Sequence, residues 1–377
     1  MNPYDFARIE WNKPPERHKP VWHHRLTGEG EQQLYSGSIE LDIYTETPLF
    51  IADPRSVPAD PRRAALSIKN KHNQYIIPGS SLKGMLRTVV ETISNGCLTL
   101  YDGSYEHNKV NYRRAVPAGF QKCSDNTNLC IACRIFGMLR ERTEGVFLGK
   151  VNIGDALVIH ETLASYGPMY TAALVDPKPR HADFYLDPSR AHIAGRKFYF
   201  HHHYDDLLTA ENLLPTKTGG YYNRYIDPID KDTGFHVRID FTNLEQEEFG
   251  AFLYALTLEQ TMRHKIGYGK PLGLGSILIT PTSLTLIDYT ARYRQSEAQR
   301  GKTTWEDKDV WTVIYDQVDE FSKTHLAQEA MKDLQRIWAW PPDSSVEYYY
   351  PSKRDWFDTP ASQGKRIAQT RNVPRQR

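Results

Sequence analysis

The chain has 377 residues, 40% hydrophobic and 25% charged, with a formal net charge of +1. That balance is ordinary for a globular protein and excludes a global basic field, so a nucleic-acid surface must be a local stripe. Four cysteines in this length exclude a disulfide scaffold and point to a reducing cytoplasm, and no apolar run approaches the ~20 residues of a membrane span.

Residues 1–37 are rich in Pro, His and Arg, without hydrophobic period, and read as an extended arm; Met1-Asn-Pro-Tyr-Asp-Phe lacks a signal-peptide layout. Ile39, Leu41 and Ile43 alternate with Glu40, Asp42 and Tyr44, which predicts a half-buried strand over 38–51. It enters a Pro- and Asp-rich loop, 52–63, where Asp53 and Asp60 lie among Arg55, Arg62 and Arg63. Such carboxylates serve as turn formers, or hold a divalent cation beside a phosphodiester. A short strand, Tyr75-Ile-Ile77, precedes a helix whose stripe is Leu82, Met85, Leu86, Val89, Val90 and Ile93, with Ser80 or Ser81 as N-cap and Asn95-Gly96 as the stop. Lys83 and Arg87 are four apart, so they are placed on one exposed edge beside the helix N-terminus, where an anion would meet dipole and charge together.

Cys123, Cys130 and Cys133 form a C-x6-C-x2-C cluster, which suits one tetrahedral zinc ion better than a redox pair. The fourth ligand stays open between His107 and Cys97. Residues 145–159 predict an internal strand, and the Pro-, Gly- and Tyr-rich stretch that follows, 156–234, is too long for a loop and reads as an insertion. It holds His201-His202-His203; adjacent residues of a strand point to opposite faces, so these three are expected on a solvated or partner-facing strand rather than in a metal site.

Phe235, Val237, Ile239 and Phe241 then predict a strand, and Phe249, Phe252, Leu253 and Leu256 a helix. Next comes Gly267-Tyr-Gly-Lys-Pro-Leu-Gly-Leu-Gly-Ser276, a loop of four glycines and one lysine. Its spacing fits neither a dinucleotide fingerprint nor a P-loop, yet Gly267, Gly269, Gly273 and Gly275 beside Lys270 are able to turn main-chain N–H groups toward a polyanion. An ordinary turn is the alternative. A strand pair over 276–287 completes two strand–helix–strand units, the pattern of a ferredoxin-like β-α-β-β-α-β core of class α+β. After residue 290 one amphipathic helix over 310–337 and a basic, disordered tail are expected. The implied division is 1–37, 38–155, 156–234, 235–290 and 291–377.

Three stretches resemble the RAMP superfamily, the repeat-associated proteins that build the backbone of type III CRISPR effector complexes. These are Ile77-Pro-Gly-Ser-Ser-Leu-Lys-Gly-Met-Leu-Arg87, Leu129-Cys-Ile-Ala-Cys-Arg-Ile-Phe-Gly137, and Phe241-Thr-Asn-Leu244 through the glycine loop. The resemblance implies a modified ferredoxin-like (RRM-like) fold with a zinc-bearing loop, crRNA and target RNA as ligands, and other CRISPR effector subunits as partners, away from membranes. Ser80, Ser81, Lys83, Arg87 and Lys270 would then contact guide phosphates. In active members of the family an aspartate after the first strand promotes metal-dependent cleavage of target RNA, with Mg2+ or Mn2+; Asp53 matches it, with Asp60 second. Ile51-Ala52 replaces the family's usual small pair before that aspartate, and Pro54 follows it, which puts catalysis in question more than RNA binding. The readings are therefore a crRNA-binding subunit that cuts target RNA, a non-catalytic backbone subunit, and a stand-alone crRNA-processing endoribonuclease using histidines.

Overall fold

A computed structural model describes residues 1–25, 33–56, 63–99, 106–107, 110–111, 115–139, 146–159, 165–174, 182–189, 191–204, 223–294 and 301–350. At its centre is an antiparallel sheet. Its strands are β1 (Tyr35–Thr45), β2 (Val151–Ile153) with its continuation β3 (Ala156–Val158), β4 (Gly234–Leu244) and β5 (Ser276–Ile287). The spatial order is β5, β1, β4, then β2 and β3, every neighbouring pair antiparallel. Helix α1 (Gly79–Ile93), followed by the short α2 (Ile131–Phe136), crosses from β1 to β2, and α3 (Gln246–Thr257) from β4 to β5. Each crossover therefore joins two parallel strands with one strand between them, the arrangement of a ferredoxin-like unit.

The alternation in β1 has the expected cause. Ile39, Leu41 and Ile43 are buried under the helices with Phe235, Val237, Ile239 and Phe241 of β4. Glu40, Asp42, His236, Arg238 and Asp240 face outward, where His236 bridges Asp42 (2.8 Å) and Glu40 (2.7 Å). The α1 stripe is buried as the sequence predicts, as are Phe249, Phe252, Leu253 and Leu256 of α3.

Several boundaries differ from the sequence reading. The expected internal strand is interrupted at Gly154-Asp155, which separates β2 from β3. The pair expected over 276–287 is one strand with an irregularity between Pro281 and Ser283, and it pairs with Lys302–Glu306 at its far end. The single helix expected over 310–337 is two, α4 (Lys308–Thr324) and α5 (Gln328–Ile337), because the chain turns at His325–Ala327 and the Ala327 N–H bonds the Ile93 carbonyl at 2.7 Å. The N-terminal arm is pinned: Tyr4–Ala7 pairs with Arg196–Tyr199, and the Asn95 side chain bonds Glu10 and Lys13. Among the described residues no helix is long and apolar enough to cross a membrane.

Candidate nucleic-acid interface and metal centre

The glycine loop joins the short strand His264–Lys265 to β5 and lies against the exit of β1. All four of its glycines have left-handed φ, from +74° at Gly269 to +90° at Gly273. Space forces the choice as well: a Cβ on Gly275 would lie 1.9 Å from the Ile266 carbonyl oxygen, and one on Gly273 2.7 Å from that of His202. The expectation that this loop turns a row of amides outward is corrected by its hydrogen bonds. Tyr268 N–H donates to Phe50 O, Gly275 N–H to Pro48 O, Ser276 N–H to Thr47 Oγ1, and Leu272, Gly273 and Leu274 donate within the loop. The loop is sealed onto the β1 exit, and its one cation, Lys270, folds back to donate to Gly267 O at 2.6 Å. Burial holds the Lys270 ammonium below the usual lysine range.

Helix α1 starts at Gly79, with Pro78 as N-cap, in place of Ser80 or Ser81. Gly79 is required by close approach, since a Cβ would lie 2.2 Å from Ile153 O. Its N–H donates to the Asp155 carboxylate at 2.8 Å, so part of the anion site at this helix end is filled by the chain itself. Ser80 is exposed, and Ser81 and Lys83 are half-buried beside it. Burial, then the nearby Arg87, lowers the Lys83 ammonium from its ordinary range. Arg87 does not share that open edge. Its guanidinium turns inward to Glu91 (2.9 Å), Gly137 O (2.9 Å) and Cys133 Sγ (3.3 Å).

Asp53 is gripped by Arg55, with Nε on one oxygen at 3.0 Å and Nη2 on the other at 2.9 Å, and the Arg55 amide adds a third bond. The Arg55 hydrogen bond holds the Asp53 carboxyl below the usual carboxylate range. The loop it occupies is tied down by Asp53 N–H to Leu66 O at 3.0 Å. Asp60 and the side chain of His107 lie outside the described residues.

Cys97, Cys123, Cys130 and Cys133 are all buried and free, with every sulfur within 4.8 Å of the others. Cys97 stands 3.6 Å from both Cys133 and Cys130. Four thiolates around one zinc at Zn–S ~2.3 Å are about 3.8 Å apart, so the cluster is close to a ready ligand set. Two donors already address its sulfurs: Cys130 N–H bonds Cys123 Sγ at 3.4 Å, and Arg87 bonds Cys133. Such outer contacts stabilise thiolate charge. The donor set fits a metal ion such as zinc. Of the two open choices for the fourth position, Cys97 is the one the fold brings in. The α1 stop at Asn95-Gly96 delivers it, Leu98 N–H bonds Phe120 O at 2.9 Å, and Arg196, which sequence reasoning did not single out, clamps Gly96 O and Cys97 O.

Behind the cysteines lies a buried ionic knot that spacing did not reveal. Arg134, 0% exposed, donates to Glu245 and Glu247 at 3.0 Å and is ion-paired to Glu248 at 3.2 Å without hydrogen-bond geometry, and Lys150 donates to Glu248 at 2.7 Å. Glu245 and Glu248 also form the capping box of α3. Three carboxylates face two fixed cations here, and burial together with Glu248 raises the Glu245 carboxyl to about 7. Burial works against the Glu248 charge too, but Arg134 and Lys150 outweigh it and hold that carboxyl low.

His201 and His202 are 2% and 5% exposed, whereas His203 is exposed. The solvated strand expected for them does not form; the strand stops at Tyr199 and the chain turns inward against the glycine loop.

No curated protein matches the chain. The model of the RAMP superfamily matches residues 42–277, more than half of the chain, from the last residues of β1 to the start of β5. With that match laid over a ferredoxin-like core, a glycine loop closing onto β1 and a four-cysteine cluster, the chain belongs to the RAMP superfamily.

Proposed function

We propose that the protein is a crRNA-binding subunit of a type III CRISPR effector complex, holding guide phosphates along the edge formed by Ser80, Ser81, Lys83 and the Lys270 loop. The observation that carries this reading is the position of the glycine loop, packed on the β1 exit in a chain of a family with a CRISPR-associated, RNA-binding role. The open sheet face is a poor alternative surface. It presents Glu40, Asp42 and Asp240, and these carboxylates engage the His236 and Arg238 side chains on the same face. Phosphate contacts of this kind grip RNA without reading sequence, and base pairing supplies specificity.

The four cysteines hold a structural zinc ion in this reading, which would tie α1 to the loop before β2. Between the catalytic and the purely structural subunit, the Arg55 clamp on Asp53 favours the structural one, because both carboxylate oxygens are engaged. A Mg2+ or Mn2+ ion would have to displace that guanidinium. The stand-alone nuclease has the least support, since the His201 and His202 rings are buried against main-chain carbonyls and Ser276.

The test is the affinity of the purified chain for repeat-derived single-stranded RNA over a salt series. Lys83→Glu and Lys270→Glu should each weaken binding and flatten the log–log salt slope by about 0.7 per lost phosphate contact. Variants that bind with wild-type affinity and slope would exclude the proposed edge.

A further inference from the structure

The histidine run has a role that its adjacency obscured. The His202 ring stacks on Tyr348, with centroids 5.1 Å apart, and its Nε2 lies 3.0 Å from the Pro271 carbonyl oxygen. Pro271 sits in the 3-10 turn Lys270–Leu272, which carries the loop's cation. The main chain of 202–204 occupies the space a Cβ on Gly273 would need, so segment and loop are in direct contact. His201 holds the flanks of the loop: its Nδ1 lies 2.7 Å from Ser276 Oγ, and its Nε2 2.9 Å from Arg263 O. Lys265 Nζ approaches the same Ser276 oxygen at 3.3 Å. One buried imidazole thus ties the two flanks of the glycine loop together, and a second holds its middle.

The proton count at His202 is restrictive. Both Pro271 O and His203 O, the latter 2.8 Å from Nδ1, are acceptors only. Burial, with Lys265 adding to it, lowers this imidazole to about 4, so near neutral pH the ring has a single N–H to give. Donation from Nε2 makes the long-range bond; donation from Nδ1 makes only a contact with the next residue.

We propose that His202 is a positioning residue for RNA binding: its Nε2–H, donated to Pro271, fixes the turn that carries Lys270. This rests on the reading of the loop as an RNA contact. Two variants separate the donor from mere filling of space. His202→Gln places an amide N–H near the same carbonyl, whereas His202→Met has similar length and no donor. In the full chain, His202→Met should bind repeat-derived single-stranded RNA roughly three- to tenfold more weakly, the worth of one hydrogen bond, with His202→Gln within about twofold of wild type. Equal affinity for all three proteins, or equal loss in both variants, would overturn the role of the donor. The bond itself is read in wild type from the 15N shifts of the ring: a protonated Nε2 is expected, and a protonated Nδ1 would overturn the proposal even if His202→Met failed to fold. Absence of RNA affinity in wild type would instead remove the RNA reading beneath it, a result distinct from either variant outcome.

Discussion

Histidines buried as neutral rings make folding sensitive to acid, and His264 allows the size to be worked out. Its ring is buried beside Trp338, with centroids 5.9 Å apart, and its Nε2 donates to Ala255 O at 2.7 Å near the end of α3. Burial lowers its folded pKa from 6.5 to about 4. Above pH ~6.5 neither folded nor unfolded chain protonates this ring, and its full stabilisation is present. Between pH ~6.5 and ~4 only the unfolded chain takes up the proton, so stability falls by about 1.4 kcal/mol per pH unit, roughly 3 kcal/mol over the window. His264→Gln keeps an N–H for Ala255 O and cannot titrate. Urea unfolding followed by tryptophan fluorescence, at pH 7.5, 6.5, 5.5 and 4.5, should give parallel stabilities at the top of the range and a widening gap in favour of the variant below. The difference between the two proteins cancels other groups, including Glu245, whose raised pKa acts in the opposite direction over the same interval. Two curves that stay parallel down to pH 4.5 would refute the argument, because they would mean that the ring is protonated in the fold or hydrated there.

Metal analysis of the purified chain should find close to one zinc per molecule, and Cys97→Ser should drop it well below one, with a lower melting temperature; a metal-free wild type would sink the zinc reading. Glu248→Gln leaves Arg134 and Lys150 undercompensated in a buried site and should cost about 3–5 kcal/mol in urea unfolding, whereas a cost under ~1 kcal/mol would show that the knot is hydrated. Asp53→Ala should leave RNA affinity unchanged, and in the reconstituted complex it should also leave target RNA intact or cut as before; loss of cleavage with binding retained would restore Asp53 as a catalytic residue.

What the sequence shows clearly here is local period. The alternation in β1 and β4 and the stripe of α1 each place a buried face, and those faces are buried in the fold. Long-range partners leave no such mark. Lys83 and Arg87 are equivalent by helical spacing, yet Arg87 turns toward Cys133 because the cysteine loop packs on that side of α1. The period of α4 continues into α5, so the turn at His325–Ala327 is invisible until Ala327 meets Ile93 O. The histidine run is misread for the same reason. Alternation correctly denies convergence of three rings, but nothing in the residues themselves signals that the strand ends at Tyr199 and that two rings then find carbonyls 62 and 69 positions away. The loop glycines are legible as a tight turn, while the destination of their amides depends on Pro48 and Phe50, supplied by the other half of the core.

The placement of Arg134 suggests why the cysteine loop and the second crossover belong together. It follows Cys133 directly, and its guanidinium reaches all three carboxylates at the start of α3. Cys97 comes from the end of the first crossover helix, so the cysteines join the first crossover to the loop, and Arg134 joins the loop to the second. Desolvation makes such a buried ion cluster weak as a source of net stability. Its geometric consequence is stronger: displacing the cysteine loop would strand the charges of Glu245 and Glu248, which cap α3. Helix α3 leads to the glycine loop, and Ser80 and Lys83 lie at the start of α1. A metal at the four sulfurs would therefore fix the relative position of the two helices whose ends carry the proposed RNA edge, without itself touching RNA.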